Sequence, residues 1–359
     1  MEYTKLKNIN NYKSESINPA KMPDTVFEMY SVPIYDTGHP EYLRGYEIAS
    51  SKAVVKKNDI LLCKINPRIN RVWVVGDESD HPNIASSEWI VIRTEAYNPD
   101  YLAWYFRSQR FQKLMTSEVT GIGGSLTRAQ PKRVAEYPVP ILDRESQDAV
   151  VEVLNKCQLV IDSRREELVK LDNLIKARFV EMFGDYHTNS KGFECHTGSE
   201  LFKFSSGKFL PENRRLDEGV PVYGGNGIAW YTDEALIDYP TVIIGRVGAW
   251  CGNVHTVLEP VWITDNAIYI KEQKTDKFML EFLTELMKVM DFHQYADFSG
   301  QPKITQKPLE TLNYITPPLE MQNEFTEFVK QVDKSKSAVQ KSLDEAQLLF
   351  DSLMQEYFG

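Results

Sequence analysis

The sequence has only four cysteines in 359 residues, Cys63, Cys157, Cys195 and Cys251, and no two of them form a C-x-x-C pair. This spacing excludes a disulfide framework and a zinc ribbon, and we expect reduced thiols and no metal site. The chain also lacks a run of about eighteen apolar residues and the apolar segment of a signal peptide. We therefore expect a cytoplasmic protein that contacts no membrane.

Basic residues are fewer than acidic ones, 41 against 51, so the formal net charge is −10. Non-specific binding to nucleic acid depends on neutralised phosphates, and this balance excludes a protein that coats DNA by bulk attraction. The acidic excess lies outside residues 1–142, where the two signs are nearly balanced. Local recognition of DNA is still compatible with this charge, provided that a partner supplies much of the phosphate-binding charge.

Motifs of nucleic-acid enzymes are missing as well. The Asn-Pro-Arg run at 66–68 differs from the N/D-P-P-Y/F pocket of adenine methyltransferases, and no F-x-G-x-G precedes it. Gly-Lys at 207–208 lacks the Ser or Thr and the earlier Gly of a Walker A loop. The Gly-rich run at 223–227 has the composition of an anion-binding loop, but a plain turn is the commoner reason for it. We expect no catalytic residue and no cofactor.

An internal repeat is present. Residues 145–184 recur at 320–359 with a constant offset and no gap, so that Gln147 aligns with Gln322 and both copies end in Phe-Gly. Such register over about forty residues predicts a duplication.

Each copy lacks Pro and Gly before its final Gly and follows a Pro-containing, strand-like run. Apolar residues recur every seven positions, which predicts two amphipathic helices, 143–184 and 319–359, with a coiled-coil-like seam. Each helix would be roughly 60 Å long. One such helix is more typical of a core hairpin, whereas two copies separated by unlike segments favour a pair of spacers. The residues expected to pack the helices together are Leu154, Ile161, Leu168, Ile175, Val329, Leu343 and Phe350.

The segments 1–142 and 185–318 share an order of elements. Each has a strand hairpin and a further strand, then a short helix and a Gly-rich polar loop. The loops lie at 120–127 and 299–305. Each segment is therefore predicted to be a mixed α/β domain that leads into one long helix.

This alternation of domain, Pro-hydrophobic strand and long helix resembles the specificity subunits of type I restriction-modification enzymes over essentially the whole chain. Three runs in the second domain resemble the target-recognition domains of that family: V-Y-G-G-N-G-I at 222–228, I-I-G-R-V-G-A at 243–249 and S-G-Q-P-K at 299–303. The first domain resembles them by the order of its elements.

The resemblance implies an α/β (α+β) fold with two mixed α/β target-recognition domains, joined by two long antiparallel coiled-coil helices around a pseudo-twofold axis. It implies a non-catalytic subunit that reads a bipartite double-stranded DNA target, one half-site per domain. Two methyltransferase subunits would be its partners, with restriction or translocase subunits as further candidates.

Candidate DNA contacts are basic and amide side chains on loops next to Gly or Pro. Arg can fork onto guanine O6 and N7, and Asn or Gln matches adenine N6 and N7. Trp230 and Tyr231 are candidates either for stacking on a base or for the core. In the first domain the candidates are Lys64, Asn66, Arg68, Arg71, Arg128, Lys132 and Arg133. In the second they are Asn226, Arg246, Gln301 and Lys303, with a basic patch of Lys208, Arg214 and Arg215.

Two other functions remain open at this point. A self-sufficient DNA enzyme would need a methyl-donor or nuclease motif, and a methylation assay on the isolated chain distinguishes it. A coiled-coil adaptor that bridges proteins without DNA specificity is distinguished by whether its complex prefers one DNA sequence.

Overall fold

The computed structural model describes residues 2–117, 119–120 and 127–359. Contacts divide the chain into two units: unit 1 comprises the residues up to Arg164 together with Ser342–Gly359, and unit 2 comprises Arg165–Lys341. Most of the Gly-rich loop expected at 120–127 lies outside the described residues. Within the described ranges, none of the helices combines the length and apolarity needed to cross a membrane.

Unit 1 begins with a mixed α/β segment. Its elements are β1 (Tyr3–Lys5), α1 (Leu6–Ile9), β2 (Ser16–Ile17), β3 (Val26–Tyr30), β4 (Glu41–Arg44), β5 (Lys52–Val54), β6 (Ile60–Cys63), β7 (Val72–Val74), β8 (Asn83–Ala85), β9 (Trp89–Ile92), α2 (Pro99–Arg107), α3 (Gln109–Ser117), β10 (Val119–Thr120), β11 (Arg128–Ala129), α4 (Pro131–Val134) and β12 (Pro138–Pro140). The long helix α5 (Arg144–Phe183) starts in this unit and ends in unit 2.

Unit 2 then adds a second α/β segment. Its elements are β13 (Cys195–Thr197), α6 (Gly198–Leu201), β14 (Phe202–Ser206), β15 (Val220–Gly224), β16 (Gly227–Thr232), β17 (Thr241–Gly245), β18 (Val254–Val257), β19 (Trp262–Ile263), β20 (Ala267–Gln273), α7 (Leu280–Val289), α8 (Gln306–Thr311) and β21 (Asn313–Ile315). The second long helix, α9 (Leu319–Phe358), starts here and ends in unit 1.

The sheets of the two units repeat one plan. In unit 1, β6 lies between β7 and β9, and the β3–β4 hairpin adds β8 in parallel to β3. In unit 2, β17 lies between β18 and β20, and the β15–β16 hairpin adds β19 in parallel to β15. β6 and β17 are apolar and buried at nearly every position, because both of their faces are covered.

Register fixes which residues of the two units are equivalent. The N–H of Cys63 donates to the carbonyl of Arg71 at 3.0 Å, and the N–H of Gly245 donates to the carbonyl of Asn253 at 2.7 Å. The duplication thus extends from the long helices to the domains, although the domain sequences are unlike. The equivalent pairs are Cys63 and Gly245, Trp73 and His255, Ser86 and Thr264, Glu88 and Asn266, and Trp89 and Ala267.

The long helices bury their apolar seam within each unit. In unit 2, Lys336 pairs with Asp172 at 2.7 Å and Arg178 with Glu324 at 2.6 Å, so α5 and α9 run in opposite directions there. Their Phe residues join the aromatic core of the unit. Of the expected packing residues, Leu154 and Ile161 are buried in unit 1, Ile175 and Val329 are buried in unit 2, and Leu168, Leu343 and Phe350 are half-buried.

A buried glutamine fastens the start of each long helix to its unit. The Gln147 side-chain oxygen accepts a hydrogen bond from the N–H of Asn98, the N-cap of α2, at 2.8 Å. Gln322 accepts the matching bond from the N–H of Met279, immediately before α7, at 2.9 Å. The repeat therefore preserves a polar anchor as well as an apolar seam.

Candidate nucleic-acid interface

In unit 2 the segment after β17 pairs with the segment before α8. The N–H of Gly248 donates to Pro302 at 2.8 Å, and the N–H of Ile304 donates to Arg246 at 2.9 Å. Val247 and Lys303 form the bridge between these bonds. Arg246 and Lys303, both predicted DNA contacts, are thus held on adjacent antiparallel strands of backbone.

The same backbone arrangement occurs in unit 1. The N–H of Asn66 donates to Thr127 at 2.7 Å, and the N–H of Ala129 donates to Lys64 at 2.8 Å. Ile65 and Arg128 form the bridge. Lys64 is therefore the equivalent of Arg246, and Arg128 is the equivalent of Lys303.

Lys64 and Arg246 also use their side chains in the same way. The Lys64 ammonium donates to the carbonyl of Ser87 at 2.6 Å, and the Arg246 guanidinium donates to the carbonyl of Asp265 at 3.2 Å. Ser87 and Asp265 occupy matching positions, just before β9 and β20. Each cation is therefore held against the same loop.

The second cation of each pair differs in its acidic partner. Arg128 makes two hydrogen bonds to the Glu88 carboxylate, at 3.1 and 3.3 Å. Lys303 lies 3.9 Å from a carboxylate oxygen of Asp297. The equivalent of Glu88 is the neutral Asn266, so the charge of Lys303 is less compensated than that of Arg128.

The other candidates in unit 1 lie near this pair. Asn66 has a left-handed backbone with φ +46° and precedes a 3₁₀ turn at Pro67–Ile69, on which Arg68 is exposed. Arg71 starts the return to β7 and is half-buried. Lys132 and Arg133 are exposed on α4.

The predicted basic patch of unit 2 is largely paired within the protein. Arg214 contacts Asp233 at 2.7 Å and Glu234 at 2.9 Å, and these carboxylates raise its pKa. The Arg215 guanidinium lies 3.9 Å from the centre of the Trp230 ring, a cation–π contact. Lys208 is exposed, and its carbonyl accepts a hydrogen bond from the Trp262 indole at 3.0 Å.

An open groove of about 450 Å³ lies next to Val247 in unit 2. It brings together the candidates Asn226 and Gln301, which are far apart in sequence, and adds three residues that the sequence gave no reason to choose. These are Trp250, Thr264 and Asn266. Asn226 and Gln301 had a local signal, the Gly and Pro residues beside them, whereas the positions of Trp250, Thr264 and Asn266 depend on strand register and loop pairing.

Glycines allow the hairpin turn to lie on the end of β17. A Cβ on Gly225 would come within 3.4 Å of the Val247 carbonyl and 3.5 Å of the Asn266 carbonyl. A Cβ on Gly245 would clash with the carbonyl oxygen of Gly225. The close approach positions Asn226, at the tip of the turn, beside the other groove residues.

Two buried polar atoms, Nε2 of His255 and Oγ1 of the groove residue Thr264, have no hydrogen-bond partner within the part of the chain that the structure describes. Thr264 is 3% exposed, and His255 lies behind Gly227. Burial lowers the pKa of His255, and nearby Lys288 adds to the effect, so its ring is neutral at pH 7.

The two cysteines of unit 2 differ in exposure. Cys195 is exposed on β13, whereas Cys251 is buried. Across the described residues, no three His, Cys, Asp or Glu side chains form a group that could hold a metal ion.

Sequence comparison identifies a known domain in this chain. The family model of the type I restriction modification DNA specificity domain matches residues 191–347. The type I restriction enzyme EcoprrI specificity subunit of Escherichia coli is 29% identical over 131 residues, which are 35% of this chain and 32% of the relative. The match thus spans about a third of that protein's length.

Two solved structures share the fold over nearly the whole chain. The S subunit of the type I restriction-modification system from M. genitalium has a TM-score of 0.64 at 15% identity, covering 100% of this chain and 96% of that one. A chain from a structure of a type I R-M system has a TM-score of 0.58 at 19% identity, covering 99% and 97%. These likenesses confirm the expected fold class of two mixed α/β domains joined by long helices. The resemblance inferred from the sequence is confirmed over residues 191–347, which match the type I restriction modification DNA specificity domain.

Proposed function

We propose that this chain recognises DNA sequence as the specificity subunit of a type I restriction-modification complex, and that each unit reads one half of a bipartite target. The observation that carries the proposal is the repeated cation pair, Lys64 with Arg128 and Arg246 with Lys303, in matching backbone settings. Basic side chains at both positions of both units suit contact with bases or phosphates. The target-recognition domains are 1–142 and 185–318.

Partners are needed for tight binding. The net charge is −10, and several cations of the candidate interface already have carboxylate partners. Since affinity for DNA grows with each phosphate neutralised, the chain alone is expected to bind weakly. We assign the missing charge to methyltransferase subunits.

The long helices offer matching contacts to two such subunits. Leu174 on α5 and Leu349 on α9 are equivalent residues of the repeat, and both are exposed, at 46% and 54%. Large apolar side chains kept exposed at equivalent positions favour one docking site per helix. In this proposal α5 and α9 are spacers that also bind the methyltransferases.

The test is to co-express the chain with its methyltransferase subunits and to map methylated sites by sequencing. We expect one bipartite sequence. Lys64→Ala with Arg128→Ala should relax one half of it, and Arg246→Ala with Lys303→Ala the other half. Lys21→Ala and Lys307→Ala, which remove exposed cations outside both pairs, are the controls.

Two outcomes would overturn the proposal, and a third would change the role assigned to the cation pairs. Methylation by the purified chain alone would indicate a self-sufficient enzyme. A complex without sequence preference would favour the coiled-coil adaptor. Variants that weaken all sequences equally would show that the pairs contact phosphates and do not specify bases.

A further inference from the structure

Three side-chain amides surround the groove of unit 2. They belong to Asn226, Asn266 and Gln301, all of which are exposed. Within the described part of the chain none of these amides has a hydrogen-bond partner. Their donors and acceptors are therefore available to a ligand.

Backbone contacts determine where the residues that carry these amides lie. Asn226 lies between the paired Gly224 and Gly227, and the carbonyl of Asn266 accepts the N–H of Arg246 at 2.8 Å. The Gln301 amide nitrogen lies 3.6 Å from the position that a Cβ on Gly248 would occupy. The backbone contacts therefore bring the three amides to one groove.

A buried hydroxyl gives an independent reason to expect a polar ligand. Thr264 lines the groove, is 3% exposed, and its Oγ1 has no partner among the described residues. Buried polar groups nearly always have a hydrogen-bond partner. At the equivalent position of unit 1, the hydroxyl of Ser86 accepts a bond from the N–H of Glu88 at 3.3 Å.

Unit 1 does not share this set of groups. The equivalent of Asn266 is Glu88, whose carboxylate is bound to Arg128. The equivalent of His255 is Trp73, which packs against Tyr35 with ring centres 5.7 Å apart. The amide groove is therefore specific to unit 2 and does not follow from the sheet plan that the two units share.

The lining favours a nucleobase as the ligand. Trp230 and Trp250 contribute exposed ring surface, and no Asp or Glu is among the described residues that line the groove. Arg246 and Lys303 lie next to Val247, which lines the groove. Aromatic rings beside uncompensated amides suit a flat, hydrogen-bonding ring system.

We propose that this groove contacts the base edge of adenine in the half-site read by unit 2, with Asn226, Asn266 and Gln301 as its specificity-determining residues. An amide donates to adenine N7 and accepts from its N6 amino group, whereas guanine presents two acceptors, N7 and O6. This inference rests on the proposed function and adds the base and the residues that select it.

The experiment uses the complex of the chain with its methyltransferase subunits and duplexes of the mapped target. Each adenine of the unit 2 half-site is replaced in turn by 7-deazaadenine, which lacks N7, or by purine, which lacks the N6 amino group. At one or more positions both analogues should weaken binding on the order of 10- to 100-fold. At that position Asn226→Ala, Asn266→Ala or Gln301→Ala should no longer distinguish the analogues from adenine.

Asn266→Asp keeps the shape of the side chain and removes the donor to N7. It therefore separates the loss of this hydrogen bond from a loss of folding. Asn313→Ala, an exposed amide outside the groove, should behave as the parent does. If the parent prefers one sequence but the three variants still discriminate against the analogues, the adenine inference is wrong and the proposed function stands. If the parent complex prefers no sequence, the proposed function itself fails.

Discussion

In unit 1 the strands β3 and β4 are connected by residues 31–40, whereas in unit 2 the equivalent strands β15 and β16 are joined by Gly225 and Asn226 alone. The longer connection carries Tyr35, whose ring contacts Trp73 and whose hydroxyl donates to the carbonyl of Val72 at 3.2 Å. The shorter one carries no side chain that could cover the sheet. The same arrangement of strands therefore has a covered surface in unit 1 and an open groove in unit 2.

The residues beneath these connections also differ between the units, with larger rings in unit 1 than in unit 2. Trp73 and Trp89 of unit 1 correspond to His255 and Ala267 of unit 2. Tyr35 packs on both tryptophans, with ring centres 5.7 and 6.1 Å apart, while the Nε2 of His255 has no partner among the described residues. The comparison shows that strand register is conserved between the units, while ring size and loop length decide what is exposed.

The covered surface of unit 1 should be the more sensitive to loss of a ring. Trp89 is buried and its indole donates to the carbonyl of Tyr30 at 2.9 Å, so Trp89→Ala should lower the free energy of unfolding by about 3–5 kcal/mol. Urea unfolding followed by circular dichroism measures this. The control is Trp250→Ala in the open groove, where the 54% exposed ring should contribute less than about 1 kcal/mol. Equal losses would show that the units do not differ in covering.

Removing either glutamine anchor should lower the stability of the protein, and the two losses should differ in size. The Gln322 amide donates to the carbonyls of Lys277 and Pro317 and accepts from Met279, whereas Gln147 makes one donation, to Leu142, and accepts from Asn98. Replacing either by Ala leaves buried backbone groups unpaired, at about 1–3 kcal/mol, with the larger loss at Gln322. Urea unfolding of both variants tests the order. Glu145→Ala and Glu320→Ala, at exposed positions of the same repeat, should be nearly neutral.

The two units also differ in charge at one equivalent position, Glu88 in unit 1 and Asn266 in unit 2, and exchanging these residues tests the effect of that charge. Glu88→Asn gives unit 1 the residue of unit 2 and removes the bidentate partner of Arg128. Stability should change by less than about 1 kcal/mol because the ion pair is exposed. The salt dependence of DNA binding should steepen by up to about one unit of slope, as expected for one more phosphate contact. Asn266→Glu should have the opposite effect. Unchanged slopes in both variants would place these residues away from DNA.

The smallest effect is expected from the neutral ring in unit 2. His255→Phe removes a buried nitrogen without a partner, so stability at pH 7 should change by less than about 1 kcal/mol. Burial lowers the pKa of His255 below its ordinary value of 6.5, so as the pH falls through 6.5 the unfolded chain takes up a proton before the folded chain does. The parent should therefore lose stability relative to His255→Phe as the pH falls below 6.5. Parallel stability curves would contradict a buried neutral histidine.

The parts of the fold with local signals could be predicted from the sequence. A seven-residue apolar repeat is local, and it predicted α5 and α9. Glycine and proline next to basic residues pointed to Lys64, Arg128, Arg246 and Lys303, whose DNA contacts stay predictions. Their pairing in space depends on hydrogen bonds between segments far apart in sequence, such as Gly248 with Pro302.

The groove and the ion pairs could not be predicted in the same way. Thr264 and Asn266 carry no local motif, and they reach the groove only because β19 and β20 pair with particular strands. Arg214 and Arg215 were grouped as a basic patch from neighbouring charge, but the partners of Arg214, Asp233 and Glu234, follow much later in the chain. Charge runs in a sequence do not show such compensation.

The division of the chain has a consequence for its synthesis. All residues of unit 2 have been made once the ribosome has passed Lys341, whereas unit 1 still needs Ser342–Gly359. Among these is Phe358, which packs against Tyr101 and Tyr105 with ring centres 5.5 and 5.8 Å apart. The nascent chain therefore passes through a stage in which the unit begun first still exposes part of its aromatic core. Exposed surface of that kind favours aggregation, and the end of α9 removes it from solvent when Phe358 packs into the core of unit 1.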